Sequence, residues 1–470
     1  MNNNDNDDAV SDFLASKNSK VNLEKIGIFL DDEKLHFNAN IFVEFLMQRN
    51  HFCIVDGQLL FRYSEGVWIP FGEHAGLRLF RDTIEGVKRN IYKISMGNNA
   101  LDILKLAVPN VPSMDSAKHL INLQNGLLDL KAFELLPHDP KYLSSIQLPI
   151  AYDPKEKCER FEQFITEIME GDSQRVAVLQ ELAGYLLTSE TVIHKAFFLY
   201  GDGSNGKSLL LDILTALVGE ANVSNLTLAD LSNAFRRYNL VGKTVNIATE
   251  NEIAGKGFNS QYFKAIVAGD RIQVERKYQD SASFVPTCKL VFAVNNLPYS
   301  PDHSYGLYRR MMIIPFTRRF EEKEADKNLK AKLLPELPGI LNWSLEGLKR
   351  LRAHNFEFSE SSIIQNTVKT YIQDQNPMRN FISEMIVRDE ETSRIAKASI
   401  LQSYNLWSQR NGLGDTSKLS PQRFWNLFRA NCRELNLPYK QQISNGTRYL
   451  RELRMADYDD PIPAPGDQIP

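Results

Sequence analysis

Residues 201–208 read Gly201-Asp202-Gly203-Ser204-Asn205-Gly206-Lys207-Ser208, and no other stretch concentrates as much chemistry. Glycine at 201 and 206 followed at once by Lys-Ser is the spacing of a loop that cradles phosphates. The glycines let the backbone curl so that several N–H groups point at one phosphate. Lys207 then reaches the terminal phosphates and the Ser208 hydroxyl ligates Mg²⁺. ATP with Mg²⁺ is therefore the expected ligand, with Asp202, Gly203, Ser204 and Asn205 completing the cradle. The flanks suit the task. The apolar run AFFLYG enters the loop as a buried strand, and KSLLLDILTALVG leaves it as a helix whose N-terminal dipole adds to the anion site.

The same stretch also spells G-x-G-x-x-G through Gly201, Gly203 and Gly206, with Glu220 near the distance of a ribose-binding acid. A dinucleotide site has no use for Lys-Ser directly after the third glycine, and the entering strand lies mid-chain instead of opening a two-fold βαβ repeat. The triphosphate reading is the better one.

Three further segments must be brought to the loop. TVNIAT is a buried strand with Glu250 at its carboxyl end, where open α/β sheets hold ligands. That is the place for an acid that completes the Mg²⁺ shell and polarises the attacking water. Glu252, one residue further from the strand, has a less defined part. KLVFAVNNLP is another buried strand, and an amide at its end could orient water against the γ-phosphate. GLYRRMMIIPF sets Arg309 and Arg310 at the mouth of a further apolar strand, and an arginine supplied in trans can neutralise transition-state charge. Between these segments, IQVERKY and ASFVP read as two strands around a tip that carries Lys277 and Tyr278. A basic–aromatic tip can grip and stack on a nucleic-acid strand, and a solvated hairpin is the plain alternative.

Composition bounds the rest. The 470 residues allow about three domains, and 43% apolar with 24% charged residues is ordinary for a globular chain. Net charge is −3, so any nucleic-acid signal must be local. Four scattered cysteines without a C-x-x-C speak against a disulfide framework or structural zinc and fit a reducing cytoplasm. The polar, acidic start is no signal peptide, and no apolar run approaches a membrane span.

In the order GDGSNGKS, VNIATENE, FKAIVAGDRIQVERKY, FAVNNLP and RRMMIIPF, the motif set resembles the superfamily 3 helicases of phage and plasmid primase–helicases, poxvirus NTPases and initiators of mobile elements such as pathogenicity islands. The resemblance spans roughly residues 115–350. It implies an AAA+ core that forms a hexameric ring around DNA, 3′→5′ travel on a single strand, and action in the host cell's cytoplasm. It puts Lys207 and Ser208 on phosphates and metal, Glu250 in the motif B role, and Asn295 in the sensor position. It makes Arg310 the finger, with Arg309 the alternate, and lets Lys264 touch a neighbour's nucleotide. It assigns Lys277 and Tyr278 to the hairpin that tracks DNA. Many members have two adjacent acids at motif B, whereas here Asn251 separates Glu250 from Glu252.

The domain plan follows as α/β. Residues 1–20 are a disordered leader and 21–112 a small α+β module, in which Phe61, Tyr63 and Trp68 are either base-stacking or core aromatics. A hairpin at Asn125-Gly126 plus a helical collar fills 113–190, and the AAA+ core 191–354. No primase motif is present, so a separate primase, polymerase or loader is an expected partner. Residues 355–376 read as a linker. Residues 377–456 follow the winged-helix order, with helix-like segments PMRNFISEMIV, RIAKASILQSYNLWSQRNG and SPQRFWNLFRANCREL before a hairpin at Asn445-Gly446, and 457–470 are a disordered tail. Between Arg394 and Met455 eleven Lys/Arg face three Asp/Glu, an electrostatic footprint for DNA. Arg423, Arg429, Arg448 and Arg451 are the candidates for origin contacts through the third helix and the wing. The expected function is a ring-forming, ATP-dependent replicative DNA helicase. The alternatives are an ATP-switched DNA-binding initiator that does not unwind, and a stand-alone P-loop phosphotransferase.

Overall fold

The computed structural model describes residues 23–31, 34–249, 258–275, 282–298, 300, 302, 304–321, 323, 326–411 and 419–456. The expected leader at 1–20 and tail at 457–470 lie outside the described residues.

The N-terminal unit begins with a hairpin, β1 (Ile28–Asp31) and β2 (Lys34–Phe37). Asn38 then caps α1 (Ala39–Met47) by accepting from the Asn40 and Ile41 amides. Strands β3 (Phe52–Val55), β4 (Leu59–Ser64), β5 (Val67–Pro70) and β6 (Asn110–Val111) form one sheet in the order β5-β4-β3-β6. Helices α2 (Glu73–Val87) and α3 (Ile94–Ala107) share a core with α1 through Phe42, Phe80 and Leu104. Phe61 and Trp68 are buried, and the Trp68 indole donates to the Pro140 carbonyl at 2.9 Å. Of the two readings offered for these aromatics, the core one is observed.

Strands β7 (Leu120–Leu123), β8 (Gly126–Asp129) and β9 (Glu134–Leu136) make an antiparallel sheet. The turn at Asn125-Gly126 is as expected, and β9 is an addition. The collar helices α4 (Glu159–Ile168) and α5 (Ser173–Leu186) follow, with Asp172 capping α5 through the Gln174 and Arg175 amides.

The central sheet is parallel. It comprises β10 (Ala196–Tyr200), β11 (Val223–Ser224), β12 (Val245–Ala248), β15 (Lys289–Val294) and β16 (Met311–Pro315), in the order β11-β12-β15-β10-β16; the hairpin β13 (Ile272–Val274) and β14 (Ala282–Phe284) stands apart. Its helices are α6 (Lys207–Val218), the short α7 (Ala234–Arg237), α8 (Ser260–Ala268), α9 (Tyr305–Tyr308), α10 (Leu329–Leu333) and the long α11 (Leu337–Ala353). Continuous apolar runs make the strands because both faces of the sheet are covered. Phe197, Leu199, Ile247 and Val291 share one core with α4, α5, α6 and α11. Phe198, Leu290, Phe292 and Ile313 share the other with α8 residues such as Phe263. Helices α5 and α11 approach so closely that a Cβ on Gly347 would strike the Gln180 backbone.

Residues 355–376, expected as a linker, contain α12 (Ser362–Asp374), capped by Ser361, which accepts from the Ile364 amide. Val368, Tyr371 and Ile372 pack on the sheet layer, and the Tyr371 hydroxyl donates to the Pro298 carbonyl at 2.6 Å. The segment is a docked helix because these three residues, spaced at one helical turn, give it a face to bury.

The C-terminal unit runs α13 (Pro377–Met385), β17 (Ile386–Arg388), β18 (Arg394–Ala396), α14 (Lys397–Arg410), α15 (Pro421–Glu434), β19 (Lys440–Ser444), β20 (Thr447–Arg451) and β21 (Leu453–Met455). Phe381, Tyr404, Phe424 and Phe428 form its core. Two ends expected as helix, Ile386-Val387 and Arg394-Ile395-Ala396, are strands instead, because β21 and β20 pair with them.

Candidate functional site

At the end of β10 the chain turns at Gly201 with φ 154°, where a Cβ would run into the Phe316 carbonyl. Only glycine allows that approach. Gly206, at φ 86°, precedes the first residue of α6. Lys207 is 5% exposed. Its ammonium donates to the Gly201 carbonyl, to the Asp202 carbonyl at 3.1 Å and to Asn205 Oδ1 at 3.1 Å. Burial pushes the Lys207 pKa down, and the charge of Asp202 opposes that. A buried ammonium held by neutral oxygens is positive charge that an anion can take up. Ser208 is exposed one residue on. Among the described residues no group of three or more His, Cys, Asp or Glu could hold a metal. A lone hydroxyl such as that of Ser208 suits an ion that keeps few protein ligands and takes the rest from phosphates and water, as Mg²⁺ does. Glu250, the second expected ligand, lies outside the described residues, as does Glu252.

Other strand ends converge on this loop. The Gly201 amide donates to the Val294 carbonyl at the end of β15 at 3.1 Å, which sets the exposed Asn295 beside the loop. The Phe316 amide donates to the Tyr200 carbonyl at 2.7 Å, and the Phe320 amide to the Ser204 carbonyl at 2.8 Å. Thr249, just past β12, is the last described residue before Glu250. Glu220, by contrast, lies past the far end of the twelve-residue α6, roughly 18 Å along the helix from the loop. It is not placed as the acid of a dinucleotide site.

The sequence gives no sign of the part played by Arg175. It is 3% exposed; its guanidinium bonds to Asp172 at 2.8 Å, the Pro315 carbonyl at 3.0 Å and the Met169 carbonyl at 2.9 Å. It ties the end of β16 to the collar. An arginine in the first turn of a helix looks like a surface residue, so no local signal marks it.

Arg310 stands at the opposite end of the strands. Its carbonyl accepts from the Ala196 amide at 2.7 Å, where β10 begins. Its Nη1 donates to the Gly306 carbonyl at 2.6 Å, while Nε is buried without a hydrogen-bond partner. Burial first, then the neighbouring charge of Arg309, lowers its pKa. Arg309 itself is exposed, and its carbonyl accepts from Lys195 at 3.0 Å. Lys264, on α8, is paired with Asp302 at 2.8 Å. Burial works against ionisation of Asp302, but hydrogen bonds from Lys264, Ser260 and Ser304 outweigh it and hold the carboxyl well below the usual range. Asp302 is not legible in the sequence as a partner, since 38 residues separate it from Lys264. Lys277 and Tyr278 lie outside the described residues; the antiparallel pairing of β13 with β14 is described.

In the C-terminal unit Arg423, Arg429, Arg448 and Arg451 are all exposed. Arg429 lies over the Tyr439 ring at 4.9 Å, and Arg451 donates to the Glu391 carbonyl at 2.8 Å. Arg448 sits opposite the exposed Ile443 across the hairpin. Of the three acids between Arg394 and Met455, Glu452 is paired with Lys440 at 2.5 Å and Glu434 with Arg379 at 3.6 Å.

These features define a mixed α/β chain in which a Gly-Lys-Ser loop joins an inner strand of a parallel sheet to a helix N-terminus. Residues 39–170 match the family described as "D5 N terminal like", and residues 199–310 match DUF5906, a family of unknown function. The chain is 25% identical over 361 residues to a "Putative helicase" of Acanthamoeba polyphaga mimivirus, covering 70% of this chain and 37% of that protein. It is 20% identical over 396 residues to a "Putative helicase" of Invertebrate iridescent virus 6, covering 75% and 40%. It thus spans less than half the length of either relative. Among solved structures, the apo NrS-1 C-terminal region aligns at a TM-score of 0.48 and 13% identity, covering 87% of this chain and 97% of that one. No described helix is long and apolar enough to cross a membrane.

Proposed function

We propose that this chain is an ATP-driven DNA helicase of a viral or mobile-element replication system, working as a hexameric ring. The observation that carries the reading is the placement of Lys207 and Arg310 at opposite ends of the strands of one parallel sheet. A cation held by neutral oxygens suits the nucleotide's phosphates at one end, and an arginine at the other suits an adjoining copy's nucleotide. Such a cleft forms between neighbours in a closed ring.

In this reading Gly201 to Ser208 bind Mg-ATP, Lys207 and Ser208 hold phosphates and metal, and Glu250 orients the attacking water. Asn295 faces the γ-phosphate, and Arg310 of the next subunit completes the site. Mg²⁺ supplies charge neutralisation on the phosphates when bound. Lys264, held by Asp302 at 2.8 Å, touches the neighbour's nucleotide as the resemblance implies. The Lys277–Tyr278 tip grips one strand, moving 3′→5′ as the resemblance implies. The core is then AAA+ and the C-terminal unit a winged helix, with Arg423, Arg429, Arg448 and Arg451 on origin DNA. A separate primase, polymerase or loader would act beside it in the host cytoplasm. Two relatives named as helicases and the D5 N terminal like match support the direction of this reading.

The test is unwinding of a forked duplex by wild type beside Lys207→Ala, with native mass measured in an ATP analogue. ATP-dependent unwinding by an oligomer, abolished in Lys207→Ala, is the expected result. A single-copy protein that hydrolyses ATP without response to DNA would overturn it in favour of a phosphotransferase.

A further inference from the structure

A cavity of about 390 Å³ lies on the collar, between the turn from β8 to β9, the connector that leads into α4, and α11. The rings of Phe133, Tyr152 and Trp343 wall it, each partly buried against the main core. These walls are held in place. The Asn342 side chain on α11 donates to the carbonyls of Asp153 and Glu156 at 2.8 and 2.9 Å, which ties the connector to the helix. Gly339 permits the approach, since a Cβ there would strike the Lys157 backbone. Trp343 meets Phe161 edge to face at 5.2 Å, and its carbonyl accepts from the Gln180 side chain at 2.9 Å.

The charge around the cavity is one-sided. The exposed residues Glu156, Glu162 and Glu346 line it, against Lys157. Among the described residues none of these three carboxylates is paired with a cation. Burial first, then the charges of Glu346 and Asp153, raises the pKa of the Tyr152 hydroxyl, which puts that ring inside the acidic field. Aromatic faces attract cations, and one face of Phe133 already carries the Lys349 ammonium at 5.4 Å from its centre.

We infer that this cavity receives an arginine side chain presented by a segment of a partner protein. A guanidinium is planar, so it stacks on the rings, and its fork of N–H donors matches carboxylates along the same cavity. The carboxylates repel phosphates, so this face is not one for nucleic acid. None of its residues belongs to the glycine loop or to the basic candidates for DNA, so the inference does not rest on the helicase reading. Phe133, Tyr152, Glu156 and Glu162 belong to the stretch matched as D5 N terminal like, and Trp343 and Glu346 come from α11. Folding therefore builds a docking face for protein from two distant parts of the chain.

The experiment is titration calorimetry on the full chain with the capped peptide Ala-Leu-Arg-Leu-Ala, and with the same peptide carrying citrulline, an uncharged isostere of arginine. The proteins are wild type, Trp343→Leu and the triple variant Glu156→Gln, Glu162→Gln, Glu346→Gln. The three glutamates are exposed, so the triple variant should fold even if the tryptophan change disturbs α11. Wild type is expected to bind the arginine peptide at least about fivefold more tightly than the citrulline one. Trp343→Leu should weaken the arginine peptide about fivefold. The triple variant should weaken it about tenfold, leave the citrulline peptide within about twofold, and lose most of the salt dependence. No binding to wild type, equal affinity for the two peptides, or full affinity in the triple variant would overturn the assignment. Sedimentation of the same proteins tests the rival occupant. A triple variant that falls to lower mass, while wild type ignores the arginine peptide, would give the cavity to a second copy of this chain and overturn the partner assignment.

Discussion

The Ala196 amide donates to the Arg310 carbonyl at 2.7 Å, which pins Arg310 to the start of β10 while the glycine loop leaves its end. The strands run parallel in the register Ala196↔Met311 to Tyr200↔Pro315. Arg310 and Gly201 are therefore about 20 Å apart along the strand direction. If Arg310 serves a neighbour's nucleotide, Arg310→Ala should lower turnover by about 10³ with nucleotide binding largely kept. Titrating this variant into wild type should depress activity more steeply than its mole fraction. A linear decline would mean self-contained sites.

Lys207→Ala should reduce ATP hydrolysis at least about a hundredfold, since it removes the cation on the terminal phosphates. The protein should still fold, because the lost hydrogen bonds to neutral acceptors cost about 1–3 kcal/mol. Phosphate release and urea unfolding, measured on the same preparation, separate the two effects.

Lys289, at the start of β15, is buried with its ammonium on the Thr188 carbonyl, and burial pushes its pKa down to about 7. The unfolded chain keeps that proton to about pH 10. Between about pH 7 and 10 the unfolded state thus binds more protons, and this residue makes stability rise with pH. The adjacent Cys288 thiol is pushed up to about 12 by burial. Above about pH 9 the folded state keeps the thiol proton that the unfolded chain releases, so Cys288 makes stability fall there. Lys289→Met should raise the urea midpoint at pH 7, and the gain should shrink by pH 9. A gain independent of pH would show that the amine stays charged in the fold.

Arg423→Ala and Arg448→Ala should weaken duplex DNA binding across sequences and flatten the dependence on salt, each by about 0.9 in the log–log slope if the contact is to phosphate. Binding isotherms at a series of salt concentrations check this. Unchanged slopes would remove both residues from the interface.

Asp302→Asn should loosen Lys264 without touching the glycine loop, because Asp302, at 2.8 Å, is the charge partner of Lys264. The expected effect is weaker ATP binding by the assembled oligomer, with ATP affinity of the isolated subunit unchanged. Calorimetry above and below the concentration of assembly reads the two. Unaltered affinity in the oligomer would detach Lys264 from the neighbour's nucleotide.

What the residues determined by themselves is local. The Gly-Lys-Ser loop, the continuously apolar strands, and the caps at Asp172 and Ser420 are each written in a few adjacent positions, where backbone conformation and burial follow directly. Tertiary structure decided what depends on partners far away in the chain. Strands as short as β17 and β18 have no periodicity of their own and exist because β21 and β20 pair with them. The stretch around Tyr371 reads as a connector until its helix has a sheet layer to cover. Arg175, Asp302 and the cavity wall around Trp343 gain their roles from neighbours that only folding supplies. Hydrogen bonds and ion pairs act over a few ångströms in space, and spacing along the sequence carries no record of them.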